Sequence, residues 1–149
     1  MINQHVIEIN APKERVFKEI VLWGESIWWP KDSLMKFINL NEEIDVGTVY
    51  LQKVNLTFGP RWQAKITDIK DLCSVRRDFL DGMFCGYEVV EVRSDSRVCR
   101  VTYKMHYSLK GIFNKVMWRA AFEKLHNKNI KNILESLKEH LEKTNKNAN

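Results

Sequence analysis

The hydrophobic periodicity of the chain changes at Gly111, and this change constrains the fold more than any other sequence feature. Between residues 35 and 109, short runs with strand-like alternation are separated by brief turn sequences, whereas apolar residues recur with helical spacing beyond Gly111. Short breaks between successive strands favour antiparallel neighbours over β-α-β units. The sequence therefore predicts a meander of antiparallel strands followed by a helix. The expected strands cover residues 36–40, 48–56, 61–72, 74–80, 83–93 and 98–109.

The first thirty residues precede this meander and predict one more strand and a short helix. Residues 5–10 alternate between apolar and polar side chains, which is typical of a strand. Asn10 is suited to cap a helix, and Pro12 is tolerated in a first helical turn. The helix would bury Val16, Phe17 and Ile20, and the aromatic residues 27–30 would follow as a second short helix or a turn.

The region beyond Gly111 predicts one long amphipathic helix over residues 112–143, about 45 Å long at 1.5 Å per residue. A helix of that length needs a cover for its apolar stripe, and we expect the sheet to provide it. Residues 144–149 are polar and are expected to fray. The stripe consists of Phe113, Met117, Trp118, Ala121, Phe122, Leu125, Ile130, Ile133, Leu134, Leu137 and Leu141.

Length and charge limit the class of protein. The 149 residues have room for one domain, residues 1–149, and no run approaches the roughly 18 apolar residues of a membrane span. The start of the chain lacks the features of a secretory signal, so we expect a cytoplasmic protein. Of the net charge of +5, residues 111–149 contribute eight Lys or Arg against four Glu. These charges alternate along the helical pattern and predict a solvated face, not a nucleic-acid partner.

The cysteines and the missing catalytic signatures narrow the function further. Cys73, Cys85 and Cys99 show no paired spacing, which argues against a zinc site or a disulfide and for buried, inert thiols. The sequence contains no pattern typical of metalloproteases, dinucleotide-binding folds or P-loops. We therefore expect neither a metal nor another cofactor.

Two turn sequences set the expected register of the last three strands. The Asp-Gly pair at 81–82 suits a two-residue hairpin turn, which places Arg77 opposite Gly86. A turn over residues 94–96 places Glu88 opposite Tyr103. Directly opposed residues point to the same side, so the two registers define one shared inner face. That face comprises Val75, Arg77, Phe79, Phe84, Glu88, Val90, Val92, Val101, Tyr103, Met105, Tyr107 and Leu109.

The strand over residues 61–72 extends this inner face if its turn is tight. Asp68 then lies across from Arg77, on the same side as Trp62, Ala64 and Ile66. For residues 48–56, the alternation leaves two registers open, one with Val49 and Leu51 facing inward and one with Tyr50 and Val54 facing inward.

Three charged residues are thus expected on an otherwise apolar face. Burial of isolated ions is costly, so Asp68, Arg77 and Glu88 would form a group of opposite charges. The group fits two interpretations: an ion network that sets strand register, or a polar anchor for one end of an amphipathic ligand. In the second, Gly86 leaves space for a carboxylate or enolate to contact Arg77.

Two short motifs suggest a family. Ile-x-Ile-x-Ala-Pro at residues 7–12 and Trp-Trp-Pro at 28–30, with support from 81–84 and 118–119, resemble the START/birch-pollen-allergen (SRPBCC) superfamily over essentially the whole chain. Within it, the chain is most similar to small polyketide cyclase/dehydrase-like proteins. The resemblance implies an α+β helix-grip fold: a curved seven-stranded antiparallel sheet around a long C-terminal helix, with two short helices after the first strand.

The resemblance also implies a cavity between sheet and helix, in which family members bind lipids, polyketides or other apolar molecules; a minority are enzymes. The first functional hypothesis is therefore a binding module for a small apolar or amphipathic molecule. In this hypothesis Tyr103 and Tyr107 offer hydroxyls to the ligand, whereas His126, at the edge of the stripe, is more typical of a packing residue than of a general base. The candidate ligand-binding residues are Trp62, Ile66, Asp68, Arg77, Phe79, Phe84, Glu88, Tyr103, Met105, Tyr107, Trp118, Phe122 and His126.

Two alternatives remain open. A polyketide cyclase/dehydrase-type enzyme would use Glu88 as base, with Arg77 or Tyr103 stabilising an enolate. A protein-interaction module would use the basic terminal helix as its contact surface.

Overall fold

Seven strands form one antiparallel sheet, as the sequence predicts. The computed structural model describes residues 1–95 and 98–146. The strands are β1 (Ile2–Ile9), β2 (Met35–Asn39), β3 (Val49–Val54), β4 (Arg61–Lys70), β5 (Ser74–Phe79), β6 (Phe84–Asp95) and β7 (Val98–Leu109). Their order across the sheet is β1-β7-β6-β5-β4-β3-β2, so each strand from β2 to β7 lies beside its neighbour in sequence, and β1 joins the edge next to β7.

A single helix, α1 (Lys13–Val21), follows β1. It buries Val16, Phe17 and Ile20 on one face, as the spacing predicts. The residue that precedes the helix is Pro12, and no side chain caps the first turn, so the prediction of Asn10 as the cap is wrong. Asn10 lies too early in the chain and instead donates its backbone N–H to the Glu142 carboxylate at 2.9 Å.

Residues 22–29 form turns, which is one of the two alternatives for residues 27–30, and not the second short helix that the family resemblance implies. Gly24 has a φ of 91°, and a Cβ at this position would lie 2.5 Å from the Phe37 side chain. A right-handed helix cannot continue through such a residue, so the chain changes direction here. The turn places Trp23 in the core at 1% exposure, with its ring stacked on that of Tyr103.

The C-terminal helical region has three parts. It begins with α2 (Ile112–Met117), continues as a π-helical segment (Trp118–Phe122) and ends with α3 (Glu123–Lys146); residues 147–149 of the expected frayed tail lie outside the described residues. The sheet covers only part of the predicted apolar stripe. Trp118, Ile130, Ile133, Leu134, Leu137 and Leu141 are buried, whereas Phe113, Met117, Ala121 and Leu125 are exposed.

The exposed part of the stripe belongs mainly to α2, in which no residue is buried. The expectation that the sheet covers the whole stripe is therefore wrong at its N-terminal end. None of the helices in the described ranges has the length and hydropathy needed to cross a bilayer.

Both hairpin registers differ from the expected ones by two residues. Arg77 lies opposite Glu88 instead of Gly86, and Glu88 lies opposite Met105 instead of Tyr103. The β5–β6 connection spans residues 80–83, so it is longer than the expected two-residue turn. Pairing between β6 and β7 continues as far as Asp95, and Ser96 of the expected turn lies outside the described residues. A shift of two residues preserves the side to which each residue points. All members of the predicted inner face are accordingly buried except Phe79, which is half-buried.

Asp68 does not share this inner face. The pairing of β4 with β5 contains an irregularity at Thr67, so that Ile66 lies opposite Arg77 and Asp68 lies opposite Arg76. A bulge of this kind turns the residues that follow it to the other side of the strand. The Asp68 side chain is 45% exposed and lies 3.9 Å from the Lys70 ammonium. The expected charged group is thus reduced to Arg77 and Glu88.

The cysteines divide into two environments. Cys99 is buried and its Sγ donates to the Ala11 carbonyl at 3.2 Å, as expected for an inert thiol. Cys73 and Cys85 are exposed, which contradicts the prediction for both. Cys73 lies in the β4–β5 turn, and Cys85 alternates with the buried Phe84 and so points to the outer side of the sheet.

Candidate functional site

A chain of buried polar side chains crosses the concave face of the sheet. Trp62 donates its indole N–H to Gln52 Oε1 at 2.6 Å, and Gln52 donates its amide to Glu88 Oε1 at 3.0 Å. Tyr103 donates its hydroxyl to the other carboxylate oxygen of Glu88 at 3.2 Å. Three strands besides that of Glu88 thus supply the groups that orient its carboxylate. The arrangement resolves the open register of residues 48–56: Tyr50 and Gln52 face inward.

Arg77 is fully buried beside this network, but it takes no part in its hydrogen bonds. Its Nη1 lies 3.9 Å from Glu88 Oε1, and its guanidinium lies 5.8 Å from the centre of the Tyr50 ring. None of its three side-chain nitrogens has a hydrogen-bond partner among the described residues. Buried polar groups without partners are uncommon in folded proteins and call for a specific explanation.

Burial dominates the electrostatics of the ion pair. Removal from water raises the pKa of Glu88, against the opposing effects of Arg77 and the donors Gln52 and Tyr103. Burial likewise lowers the pKa of Arg77, against the effect of Glu88. The pKa of Tyr103 is raised well above its usual value by burial and then by the adjacent Glu88 carboxylate, so its hydroxyl stays protonated and available as a donor.

A narrow void lies between the polar network and the C-terminal helix. The volume that the centre of a water molecule can occupy in this void is about 10 Å³, which is enough for about one water. Its border is mostly aromatic and includes Glu88, Gln52 and Tyr103, whereas Arg77 is not among the described residues that border it. The interior is therefore nearly filled by side chains, in contrast to the open cavity that the family resemblance implies.

A second void of about 20 Å³ lies towards the π-helical segment and is lined by Trp118, Phe122 and Leu125. Three side chains border both voids and so form the partition between them: Met35, Trp62 and His126. We call these three residues the partition. The ring nitrogen Nε2 of His126 is shielded from solvent without a partner among the described residues, and burial lowers the pKa of this residue to about 4.

The structure places the thirteen candidate residues in three groups. Those that border a void are Trp62, Phe79, Phe84, Glu88, Tyr103, Met105, Trp118, Phe122 and His126. Arg77, Ile66 and Tyr107 are buried but border neither void; the Tyr107 hydroxyl accepts from the Trp118 indole at 3.0 Å. Asp68 lies on the outer side of the sheet.

Gly86 does not provide ligand space beside Arg77. It lies opposite Tyr107 with a φ of 125°, and a Cβ there would lie 2.1 Å from the His106 carbonyl oxygen. Glycine at this position allows the backbone of β6 to approach β7 closely.

Sequence reasoning missed several residues that shape the interior, among them Gln52, Met35 and Trp23. Gln52 was hidden by the undecided register of its strand, although a polar residue between Tyr50 and Val54 would have marked it in the correct register. Met35 and Trp23 border the void from segments outside the predicted hairpins, and no local pattern distinguished them from ordinary core residues.

No family model and no curated protein matches the chain in sequence. Solved structures do match it. The protein TTHA0849 from Thermus thermophilus is 19% identical with a TM-score of 0.73, over 97% of this chain and 99% of that one. A START superfamily protein from Mycobacterium smegmatis is 10% identical with a TM-score of 0.69, over 96% and 98%.

Norcoclaurine synthase from Thalictrum flavum, in complex with dopamine and hydroxybenzaldehyde, is 10% identical with a TM-score of 0.71, over 96% of this chain and 87% of that one. Similarity at this level of identity establishes a shared fold. The chain therefore shares the helix-grip fold of these structures, one of which is a START superfamily protein.

Proposed function

We propose that the protein binds one small, largely aromatic or aliphatic molecule between the concave face of the sheet and the C-terminal helix, with a hydroxyl group of the ligand on Glu88. The observation that carries the proposal is the Glu88 carboxylate itself. It is 4% exposed, held by Gln52 and Tyr103, and directed to a void whose other walls are mostly apolar. Apolar pockets with a few convergent polar groups are typical of ligand sites.

The sign of the charge at the void selects the chemistry of the ligand's polar end. Because Glu88 borders the void and Arg77 does not, an anionic ligand would meet a carboxylate before it met the guanidinium. A neutral hydroxyl can donate to a remaining lone pair of Glu88, which two hydrogen bonds leave unsaturated. We therefore favour an alcohol or phenol over the carboxylate or enolate that the sequence suggested.

Ligand entry requires the partition to move, since neither void alone holds more than about one water molecule. Met35 is unbranched and can change rotamer at low cost. Displacement of Met35 joins the void at Glu88 to the void beside the π-helical segment, and π-helical segments recur at functional sites. The norcoclaurine synthase that shares this fold was solved in complex with dopamine and hydroxybenzaldehyde, which supports a small aromatic ligand for this chain.

Naphthalene and two of its derivatives test the proposal. Binding of 2-naphthol, naphthalene and 2-naphthoate is measured by the change in tryptophan fluorescence, because Trp23, Trp29 and Trp62 border the void. We expect 2-naphthol to bind more tightly than naphthalene, and 2-naphthoate to bind most weakly. Saturable binding of none of the three, or tightest binding of 2-naphthoate, would contradict the proposal.

A matched pair of glutamate variants locates the hydroxyl. Glu88→Gln removes the charge that receives it, whereas Glu91→Gln makes the same change on the outer side, where Glu91 pairs with Lys104 at 2.9 Å. We expect Glu88→Gln to abolish the preference for 2-naphthol over naphthalene and Glu91→Gln to preserve it. An unchanged preference in Glu88→Gln would remove Glu88 from the site.

An enzyme of the cyclase type is the second candidate. The observation that favours it is that a carboxylate with a raised pKa and a tyrosine hydroxyl share one hydrogen bond at the void. Glu88 would take an α-proton from a bound ketone, and Tyr103 would turn its one hydroxyl proton from Glu88 to the enolate oxygen. The test is deuterium incorporation into the methyl group of 2-acetonaphthone in D₂O, followed by NMR. Faster exchange with the wild-type protein than with Glu88→Gln would support this candidate. An exchange rate equal to that without protein would exclude it.

A further inference from the structure

The helix α2 carries an apolar face that nothing in the described chain covers. Ile112 is 81% exposed, Phe113 73% and Val116 62%, while Met117 is also exposed. Trp118 on the opposite side points into the core at 2% exposure. The fold thus buries Trp118, which follows α2, and leaves the apolar side chains of α2 uncovered. We call the uncovered side, residues Ile112, Phe113, Val116 and Met117, the α2 face.

Basic residues flank the α2 face. Lys110, Lys115, Arg119 and Lys124 are all exposed, whereas Glu123 is the acidic residue between positions 110 and 124, which leaves a net charge of +3 from four bases and one acid. Aromatic and aliphatic side chains on one face of a helix, with Lys and Arg along its flank, are typical of segments that lie in a membrane interface.

The loop that follows β3 also carries exposed apolar side chains. Leu56 and Phe58 follow Val54, and Val54 borders the same void as Phe122 and Leu125. Phe58 is 99% exposed and Leu56 43%, so two further apolar side chains lie in solvent on the side of the molecule where the C-terminal helix begins. Monomeric proteins rarely present such a group of large apolar side chains without an interaction that uses it.

We propose that the α2 face docks on a lipid bilayer that contains anionic headgroups. The apolar side chains enter the interface, and the flanking bases contact the headgroups. The charge of the flank selects an anionic surface over a neutral one. This proposal concerns a surface and does not depend on the interior site, although Trp118 and Phe122 of the π-helical segment that follows α2 line the second void.

Vesicle co-sedimentation tests the proposal. The full chain is mixed with vesicles of phosphatidylcholine alone or of phosphatidylcholine and phosphatidylglycerol at a ratio of about 3:1, a composition in the range where basic segments respond to surface charge. We expect binding to the mixed vesicles at least about tenfold stronger than to the neutral ones, and weaker at high salt. No sedimentation with either composition, or equal sedimentation with both, overturns the proposal.

Variants locate the contact. Ile112→Ser combined with Phe113→Ser should reduce vesicle binding about tenfold or more, whereas Ile27→Ser, which changes a 94% exposed isoleucine in the α1–β2 connection, should leave it unchanged. Binding that survives the double change overturns the proposal. Because all three residues are exposed, thermal unfolding should be the same for each variant; if the double variant does not fold, Val116→Ser takes its place.

Charge reversals separate headgroup contact from general basicity. Lys115→Glu with Arg119→Glu should abolish the preference for anionic vesicles, while Lys128→Glu with Lys131→Glu, an equal change on exposed positions of α3, should retain most of it. Equal losses in both pairs overturn the assignment to α2. A second copy of this chain is the other possible occupant of the α2 face, and light scattering after gel filtration tests for it. If the protein is a dimer and the double change Ile112→Ser with Phe113→Ser dissociates it, the α2 face is an interface between two copies. That result would overturn membrane docking.

Discussion

Arg77 and Glu88 face each other directly across β5 and β6, with the guanidinium 3.9 Å from the carboxylate and both side chains almost fully buried. Glu88 has two hydrogen-bond donors and Arg77 has no acceptor among the described residues. The pair is therefore asymmetric: the network gives hydrogen bonds to the anion, whereas the cation interacts with Glu88 through charge and lies near the Tyr50 ring. This asymmetry makes the two residues respond differently to mutation.

The first prediction concerns the energy of that pair. Arg77→Met leaves the Glu88 carboxylate buried without a cation and should lower the free energy of unfolding by about 3–5 kcal/mol. The double variant Arg77→Met/Glu88→Gln removes both charges and should recover most of the loss. Urea denaturation measures both. Arg76→Met is the matched control, since its ion pair with Asp78 is about 40% exposed and should contribute less than about 1 kcal/mol. Equal losses at positions 76 and 77 would contradict the prediction.

The second prediction concerns pH. Burial lowers the pKa of His126 to about 4, below its usual 6.5, so the unfolded chain binds this proton more readily than the folded one. Stability should therefore fall as the pH decreases from 6.5 towards 4, by up to about 3 kcal/mol from this residue. Urea denaturation of the wild type and His126→Gln at several pH values isolates the effect: the variant should lose this part of the pH dependence. His106→Gln, on the outer side of the sheet, should behave like the wild type.

The third prediction concerns the attachment of the π-helical segment to the sheet. Trp118 donates its indole N–H to the Tyr107 hydroxyl at 3.0 Å in a buried environment. Tyr107→Phe leaves that donor unpaired and should cost about 1–3 kcal/mol. Tyr87→Phe removes a hydroxyl from the outer side, where the ring stacks on His106, and should cost less. Chemical denaturation compares the two variants, and an equal cost would mean that the buried bond contributes nothing specific.

The fourth prediction concerns the backbone at Gly86. An alanine there would require a φ of 125° and a Cβ 2.1 Å from the His106 carbonyl oxygen, so Gly86→Ala should prevent β6 from pairing with β7. We expect a chain that does not reach the native circular dichroism spectrum. Gly111→Ala is the matched control, because Gly111 also has a positive φ of 78° but no atom within 4 Å of the added Cβ. A native Gly86→Ala protein would show that the ladder can shift at low cost.

The fifth prediction concerns the partition. Met35→Ala should cost about 2–5 kcal/mol of stability and join the two voids, so that 2-naphthol binds about tenfold more tightly. Met105→Ala truncates a methionine that borders only the inner void. It should lose comparable stability but gain less affinity. If the affinity for 2-naphthol rises equally in both variants, total interior volume determines binding and the partition does not.

Part of the fold follows from sequence patterns alone. Period-two alternation assigns each residue to one side of a strand, and this assignment tolerates register errors of two residues; Arg77 and Glu88 were placed inward correctly although their partners were wrong. A single inserted residue has the opposite effect. The bulge at Thr67 moved Asp68 to the outer side, and nothing in the local sequence distinguishes a bulge from regular alternation.

The volume of the interior could not be predicted from the sequence. Whether a void remains between sheet and helix depends on how Met35, Trp23 and Trp62 interlock, and these side chains come from three distant segments. The exposure of Phe113 was also missed, because helical spacing identifies an apolar stripe but not the length of sheet available to cover it.

The position of β1 at the edge next to β7 has a consequence for biosynthesis. Ile9 pairs with Cys99, so the partner of β1 is synthesised about ninety residues after β1 itself. Contacts between such distant parts of a chain form slowly. During translation β1 therefore lacks its partner strand, and completion of the sheet has to await the synthesis of β7.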